Sequence, residues 1–155
     1  MADDLSRLDA VEQAALVRRG EATPRELVDA AIARIEEVDP TVQAVLHRRF
    51  EQAQREASSD ALPAGPFRGV PILLKDLGAQ AAGEPYHAGM RALRDADWRE
   101  PEDSYFTAKL RRAGFVVLGR TKSPELGLMP TTESDAHGPA RNPWDPSRSP
   151  GGSSG

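Results

Sequence analysis

The chain has 155 residues, with 24 acidic and 20 basic side chains and a formal net charge of −4 at pH 7, which is the size of about one domain. The absence of cysteine excludes disulfides and thiolate metal sites, and the absence of a polybasic run argues against binding to nucleic acid or to an anionic membrane. The sequence starts without a basic and apolar leader and has no apolar stretch near the roughly 20 residues that cross a bilayer, so we expect a cytoplasmic protein with neither nucleic-acid nor membrane partners.

The first two predicted helices have clear start and stop signals. Residues 9–19 predict a short helix that Asp9 caps and Gly20 ends in a left-handed turn. The run Thr23-Pro24-Arg25-Glu26 predicts the start of a second helix, because threonine and glutamate at this spacing form a capping box around a proline in the first helical position. The pair Asp39-Pro40 predicts the end of that helix.

The rest of the chain alternates between short apolar strands and helices. Val70 to Leu74 predicts a buried strand, and Asp103 is expected to cap a helix whose inner face carries Phe106 and Leu110. The other predicted elements are a weak strand over 41–46, a helix over 50–58, a surface loop over 59–68, an excursion over 76–101, a second buried strand over 115–118 and a short helix or turn from 123.

This alternation indicates an α/β protein with a mixed β-sheet core flanked by helices. Two or three strands leave exposed sheet edges and an incomplete core. We therefore expect residues 1–155 to be the N-terminal portion of a single larger domain, helical over 1–60 and carrying the sheet and the site over 66–155.

Lys75 follows directly on the predicted buried strand. Burial lowers the pKa of a lysine and makes a neutral amine available as a base. The alternative is an ordinary lysine whose amine reaches solvent at a strand end. The neighbouring Asp76 could orient the lysine or cap the following turn.

The final run, Gly151-Gly152-Ser153-Ser154-Gly155, has two interpretations. Glycines around hydroxyls can bring backbone N–H groups close to an anion, whereas Gly/Ser stretches are also the usual composition of a flexible linker. The preceding segment, Asn142-Pro143-Trp144-Asp145-Pro146, is not linker-like, and we interpret Trp98 and Trp144 as packing anchors.

The three histidines, His47, His87 and His137, lack the sequence spacing of metal ligands. Each is interpreted as a surface or loop residue. We therefore predict neither a metal site nor a cofactor.

Several motifs together resemble the amidase signature family. They are Gly69-Val70-Pro71 followed by Lys75-Asp76, then Thr131-Thr132-Glu133, Gly138 and the glycine–serine run at 151–155. Residues 85–94 and 113–122 also resemble family segments, so the resemblance covers about residue 8 to 155. It implies a hydrolase that cleaves the carbon–nitrogen bonds of carboxamides through a Ser–cis-Ser–Lys triad, with a small-molecule amide as substrate.

The resemblance also implies roles for individual residues. Lys75 matches the catalytic lysine, and Ser153 matches the serine that bridges it to the nucleophile, after a peptide bond that is cis in the family. The nucleophilic serine and its oxyanion hole match positions beyond Gly155, so we expect the 155-residue chain alone to be inactive. Supporting roles fall to Asp76, Gly151, Gly152 and Ser154, and the loop that lines the acyl pocket supplies Gly127, Leu128, Met129, Thr131 and Thr132.

Other functions stay open. Leu77-Gly78 and Pro130-Thr131 depart from the pattern of amidotransferase subunits that act on glutamyl-tRNA, and resemble instead amidases of the cyclic-dimer hydrolase type. A non-catalytic binding module, or one half of a split amidase, is a further alternative. The expected partner is then a homodimer mate or a complementary C-terminal chain. A nucleotide-binding loop is weakly supported, because no matching glycine-rich phosphate motif occurs.

Overall fold

The computed structural model describes residues 5–152. The helices in chain order are α1 (Ala10–Arg19), α2 (Pro24–Val42), α3 (Phe50–Ala57), α4 (Arg91–Asp95) and α5 (Tyr105–Arg112), and a 3₁₀ turn covers Glu125–Gly127. The strands are β1 (Val45–Leu46), β2 (Pro71–Lys75), β3 (Val116–Thr121), β4 (Glu133–Ser134) and β5 (Gly138–Pro139). The predicted α/β class, with small sheets flanked by helices, is confirmed.

Both predicted N-terminal caps are present. The Asp9 side chain accepts hydrogen bonds from the backbone N–H groups of Val11 and Glu12, and Gly20 ends α1 in the left-handed region with a φ of 70°. At the start of α2, the Glu26 N–H donates to Thr23 Oγ1 at 3.2 Å, and the Thr23 N–H donates to Glu26 Oε2 at 2.8 Å. This reciprocal pair is a capping box, as the sequence predicts.

Replacing Thr23 by alanine should lower the free energy of unfolding by about 1 kcal/mol, because the first turn of α2 then loses its side-chain acceptor. Urea titration of the two proteins measures this difference. The control is Thr41→Ala near the end of the same helix, where an exposed threonine should change stability by less than about 0.5 kcal/mol. Equal effects of the two substitutions would contradict the capping role.

The predicted stop at Pro40 is wrong, since α2 continues through Pro40 to Val42. Proline removes one N–H donor but leaves the later turns possible. Asp39 closes the end of the helix instead, because its carbonyl accepts from the Gln43 N–H at 2.7 Å and its Oδ1 accepts from Ala44 and Val45 at 2.7 and 3.0 Å. The strand predicted over 41–46 is consequently reduced to β1.

Helix α5 also differs from its prediction. The side chain that accepts a hydrogen bond from the first turn of α5 is that of Ser104 and not that of Asp103: Ser104 Oγ accepts from the Thr107 N–H at 3.2 Å. Asp103 Oδ1 accepts instead from the N–H of Ala82. Phe106 is 55% exposed while Thr107 is fully buried. The buried face of this short helix therefore carries Thr107 and not Phe106.

Over the described residues the chain forms two compact units. The first contains residues up to 37, 48–73 and 108–119, and the second contains 38–47, 74–107 and the residues from 120 onward. The core of the first unit is apolar and draws on α2, α3 and β3; its buried members are Val28, Ile32, Ala53, Ala57, Leu62, Val116 and Leu118.

Two small sheets complete the fold. One has the strand order β1-β3-β2, with β1 antiparallel to β3 through the pairs Val45–Thr121 and Leu46–Arg120. The other is the antiparallel pair β4–β5. Within residues 5–152, no helix combines the length and the apolar character that a membrane crossing requires.

Candidate active site

Lys75 is the last residue of β2, immediately after Leu74, of which only 2% is exposed. The lysine is itself half-buried. Desolvation lowers the pKa of its amine below the ordinary value of 10.5, because burial penalises the charged form. The strand therefore delivers an amine that loses its proton more readily than a lysine in water.

Arg120 of β3 holds the backbone around Lys75. Only 2% of this arginine is exposed, and its Nη1 donates to the carbonyl oxygens of Lys75 at 3.1 Å and of Ala79 at 2.9 Å. Its guanidinium also lies 5.4 Å from the ring centroid of Tyr86. The turn that follows the lysine is thus fixed by a buried cation.

Asp76 organises the segment that follows. It is fully buried, and its carboxylate accepts from the backbone N–H groups of His87 at 2.9 Å and of Gly89 at 3.2 Å. Its own N–H donates to the carbonyl of Thr121, and its carbonyl accepts from Ser123 Oγ. Since both carboxylate oxygens face backbone donors, Asp76 anchors the excursion over 76–101 next to the lysine.

The loop predicted to line the acyl pocket is anchored to the same segment. The Leu126 N–H donates to the Ala88 carbonyl at 2.8 Å, and a Cβ on Gly89 would lie 2.8 Å from the Pro124 carbonyl. Leu126 adopts a φ of 51°, which is uncommon for a residue with a side chain. Leu128 and Met129 beyond it are 77% and 57% exposed, so apolar side chains are available to contact an apolar ligand or another segment.

Thr132 holds the first residue of the glycine–serine run in place. It is buried, and its Oγ1 donates to the carbonyl of Gly151 at 2.9 Å. A Cβ on Gly152 would lie 2.7 Å from that same Oγ1 and 3.2 Å from the backbone of Thr131. Position 152 therefore has no room for a side chain unless its neighbours shift.

The structure brings together only part of the predicted site. Thr131 and Thr132 lie against Gly151 and Gly152, and Asp76 lies beside the loop that leads to Gly127. Ser153 and Ser154 fall outside the described residues, so the triad geometry between Lys75 and Ser153 stays a prediction.

The segment 142–146 differs from its prediction. Trp144 is 95% exposed and is not a packing anchor within the described chain. Side-chain-to-backbone turns shape the segment instead: Asn142 Oδ1 accepts from the Trp144 N–H, and Asp145 Oδ1 accepts from the Ser147 N–H.

Two features of the second unit are missed by reasoning from the sequence. One is Arg120, which lies within β3; the signal that could have identified it is its place two residues after the apolar run 115–118, since a buried arginine needs partners. The other is the convergence of His47, His87 and His137, whose ring nitrogens lie within 4.8 Å of one another and could hold a metal ion. His87 lies in a loop, one of the two predicted settings, but it is buried there, with only 4% of the residue exposed.

Comparisons with known proteins identify the family. A family model described as Amidase matches residues 26–155. The chain is 46% identical over 147 residues to a 6-aminohexanoate-cyclic-dimer hydrolase of Paenarthrobacter ureafaciens, covering 95% of this chain and 29% of the relative. It is 43% identical over 160 residues to the A subunit of a glutamyl-tRNA(Gln) amidotransferase of Salinispora tropica, covering 98% of this chain and 32% of the relative.

A solved structure of 6-aminohexanoate cyclic dimer hydrolase superposes on the chain with a TM-score of 0.89 at 45% identity. The alignment covers 97% of this chain and 30% of the solved one. The chain thus spans about a third or less of the length of these relatives.

Proposed function

Because this chain belongs to the Amidase family, we propose that its natural gene product hydrolyses carbon–nitrogen bonds of carboxamides. In this proposal Lys75 is the general base, Ser153 relays a proton to it, and the acylated serine lies beyond Gly155. The observation that carries the proposal is the placement of Lys75: this half-buried lysine with a lowered pKa ends β2 directly after the buried Leu74, and its backbone carbonyl accepts from Arg120.

The chemistry follows the logic of a serine–lysine triad. Neutral Lys75 accepts a proton that Ser153 passes on from the nucleophilic serine. That serine attacks the amide carbonyl, and the lysinium returns its proton to the departing amine. Water then cleaves the acyl-enzyme by the same proton path.

The substrate class is proposed from two observations. Leu128 and Met129 present exposed apolar side chains in the loop assigned to the acyl pocket, and this arrangement suits an aliphatic acyl chain. The chain is also 46% identical to a hydrolase of the 6-aminohexanoate cyclic dimer. We therefore propose linear or cyclic aliphatic amides as substrates.

The isolated 155-residue chain is proposed to be inactive. Its nucleophile and the neighbouring N–H groups of the oxyanion hole match positions after Gly155, and the loss of even one oxyanion donor lowers turnover by about 10²–10³-fold. Without these groups Lys75 and Ser153 have no acyl acceptor to activate.

A direct assay compares the natural gene product with the 155-residue chain on linear and cyclic aliphatic amides. Release of amine by the gene product, with none from the short chain, supports the proposal. Restoration of activity when a separate C-terminal chain is added would identify the split form of the same enzyme. Hydrolysis by the short chain alone would contradict the assignment of the nucleophile.

The activity should depend on pH through Lys75. The amine is active when neutral, and its pKa lies below the ordinary 10.5, so kcat/KM should fall as the pH drops through this lowered pKa and level off above it. Stopped assays from pH 6 to pH 10 (about half a unit per step) locate the acid limb. An acid limb that persists unchanged in a Lys75 variant with residual activity would contradict this assignment.

A second candidate function is that of an amidotransferase component, which the 43% identity to the Salinispora tropica protein supports. Leu77-Gly78 and Pro130-Thr131 argue against it, because they depart from the pattern of those subunits. The two candidates differ in a simple readout. An amidotransferase component should transfer glutamine-derived ammonia to glutamyl-tRNA only in the presence of other subunits, whereas an amidase should cleave aliphatic amides unaided.

A further inference from the structure

Three histidines that are distant in sequence meet in the second unit. The ring centroids lie 4.6 Å apart for His47 and His87, 5.2 Å apart for His87 and His137, and 5.8 Å apart for His47 and His137. Each ring offers a nitrogen within 4.8 Å of the nitrogens of the other two. We call His47, His87 and His137 the trihistidine cluster.

The backbone holds each member from a different part of the unit. His47 follows β1 with a φ of 45°, in the left-handed region. The N–H of His87 donates to the buried Asp76 carboxylate at 2.9 Å, and the N–H of His137 donates to the Ser134 carbonyl in the turn between β4 and β5. Each of the three histidines is therefore positioned by a different segment of the backbone.

Two ring nitrogens of the cluster are buried without a protein partner. The Nε2 atoms of His47 and His87 have no hydrogen-bond partner among the described residues. A buried polar atom without a hydrogen-bond partner destabilises the folded state. The unsatisfied nitrogen of His47, which faces the other two rings, points to a bound species that the protein atoms alone do not supply.

The closest pair of nitrogens has a separation that suits a shared ion. His87 Nδ1 and His137 Nε2 lie 3.2 Å apart. Two imidazole nitrogens on one tetrahedral zinc ion, each at about 2.0–2.1 Å from the metal, are about 3.3 Å from each other. A hydrogen bond between the two rings also fits this distance, but it leaves the buried Nε2 of His47 without a partner in the described part of the chain.

Charged side chains act on all three rings of the cluster. Asp76 supplies negative charge to all three rings. The other charged groups that act on the cluster are Arg94, Asp97, Arg120 and Lys122. Three of these are cations, and their positive charge lowers the affinity of the cluster for a divalent ion.

We propose that the trihistidine cluster binds a divalent transition metal ion, with Zn²⁺ as the expected occupant and water in the remaining coordination position. Three imidazole ligands suit zinc and its neighbours in the first transition row, and not Mg²⁺ or Ca²⁺, which prefer oxygen. The site ties together the end of β1, the segment anchored by Asp76 and the β4–β5 turn. Its role is independent of the proposed amidase chemistry.

The test uses the natural gene product, purified without an affinity tag and stripped of metal by a chelator. Titration with Zn²⁺, and with Co²⁺ as a visible-light probe, should show one equivalent bound, while Mg²⁺ should not compete. The variant His137→Gln removes one ligand from the partly exposed turn and should weaken Zn²⁺ binding at least about tenfold. The matched control is Asp135→Asn in the same turn, which leaves every imidazole in place and should bind Zn²⁺ as the parent does.

A second measurement works on the parent protein alone. Zn²⁺ should protect the cluster histidines from acylation by diethyl pyrocarbonate, as mapped by peptide mass spectrometry, and should raise the thermal unfolding temperature of the parent. Absence of stoichiometric Zn²⁺ binding to the parent would overturn the proposal. So would unchanged affinity in a folded His137→Gln variant, or acylation of the histidines at the same rate with and without Zn²⁺.

Discussion

Replacing Lys75 by methionine should lower kcat/KM of the natural gene product on an aliphatic amide by about 10⁴-fold or more, because members of a nucleophilic triad act as a unit and the loss of one removes most of their joint effect. Methionine keeps the unbranched apolar stem and removes only the amine. The expected loss is in kcat, since Lys75 acts on the proton of the nucleophile and not on substrate binding. Steady-state kinetics on the purified variant measures it.

The control for this experiment is Lys109→Met on α5, which removes an amine elsewhere in the chain and should leave kcat/KM within about twofold of the parent. Both variants should retain the unfolding midpoint of the parent. A Lys75→Met variant that folds normally and keeps more than a tenth of the activity would rule out Lys75 as the catalytic base.

Replacing Asp76 by alanine should lower the free energy of unfolding by roughly 3 kcal/mol. The carboxylate is fully buried and accepts hydrogen bonds from the N–H groups of His87 and Gly89. Its removal leaves both donors buried without an acceptor, which is the costly way to lose a hydrogen bond. Urea unfolding followed by circular dichroism measures the change.

Two further variants make that measurement interpretable. Asp76→Asn keeps one carbonyl acceptor in the same volume and should lose less stability than Asp76→Ala. Asp135→Ala breaks only an exposed ion pair with Arg91 and should cost less than about 1 kcal/mol. An Asp76→Ala variant as stable as Asp135→Ala would show that the buried carboxylate does not hold the segment after Lys75.

Local signals in the sequence predict most of the helices and strands. The cap at Asp9 and the capping box at Thr23 act over three residues, so both are visible in the sequence and present in the structure. The predicted stop at Pro40 is wrong because the end of α2 is set by contacts beyond the proline: the Asp39 carboxylate accepts from the N–H groups of Ala44 and Val45, after the last turn. The prediction of the inner face of α5 is wrong for a similar reason. Contacts outside the helix decide which side chains it buries, and they place Thr107 rather than Phe106 in the interior.

The sequence suggests a candidate site where a motif is contiguous and hides it where the residues are dispersed. Lys75 and Asp76 stand next to an apolar run, and the glycine–serine end is a single segment, but from the residues alone each has two interpretations. Their catalytic roles come from the resemblance to the amidase signature family and stay predictions. The trihistidine cluster draws on three loops, and its closest pair is separated by 50 residues in the sequence. Neither the spacing of the histidines nor the periodicity of the sequence predicts that the three rings meet, because only the folded backbone brings them together.

The measurement that tests the central claim most directly is labelling with a serine-reactive fluorophosphonate, followed by peptide mass spectrometry. It should be applied in parallel to the natural gene product and to the 155-residue chain. If Lys75 and Ser153 serve an acylated serine beyond Gly155, the gene product is labelled at one serine after that position and the 155-residue chain is not labelled at all. Labelling of any serine within residues 1–155 would contradict the account.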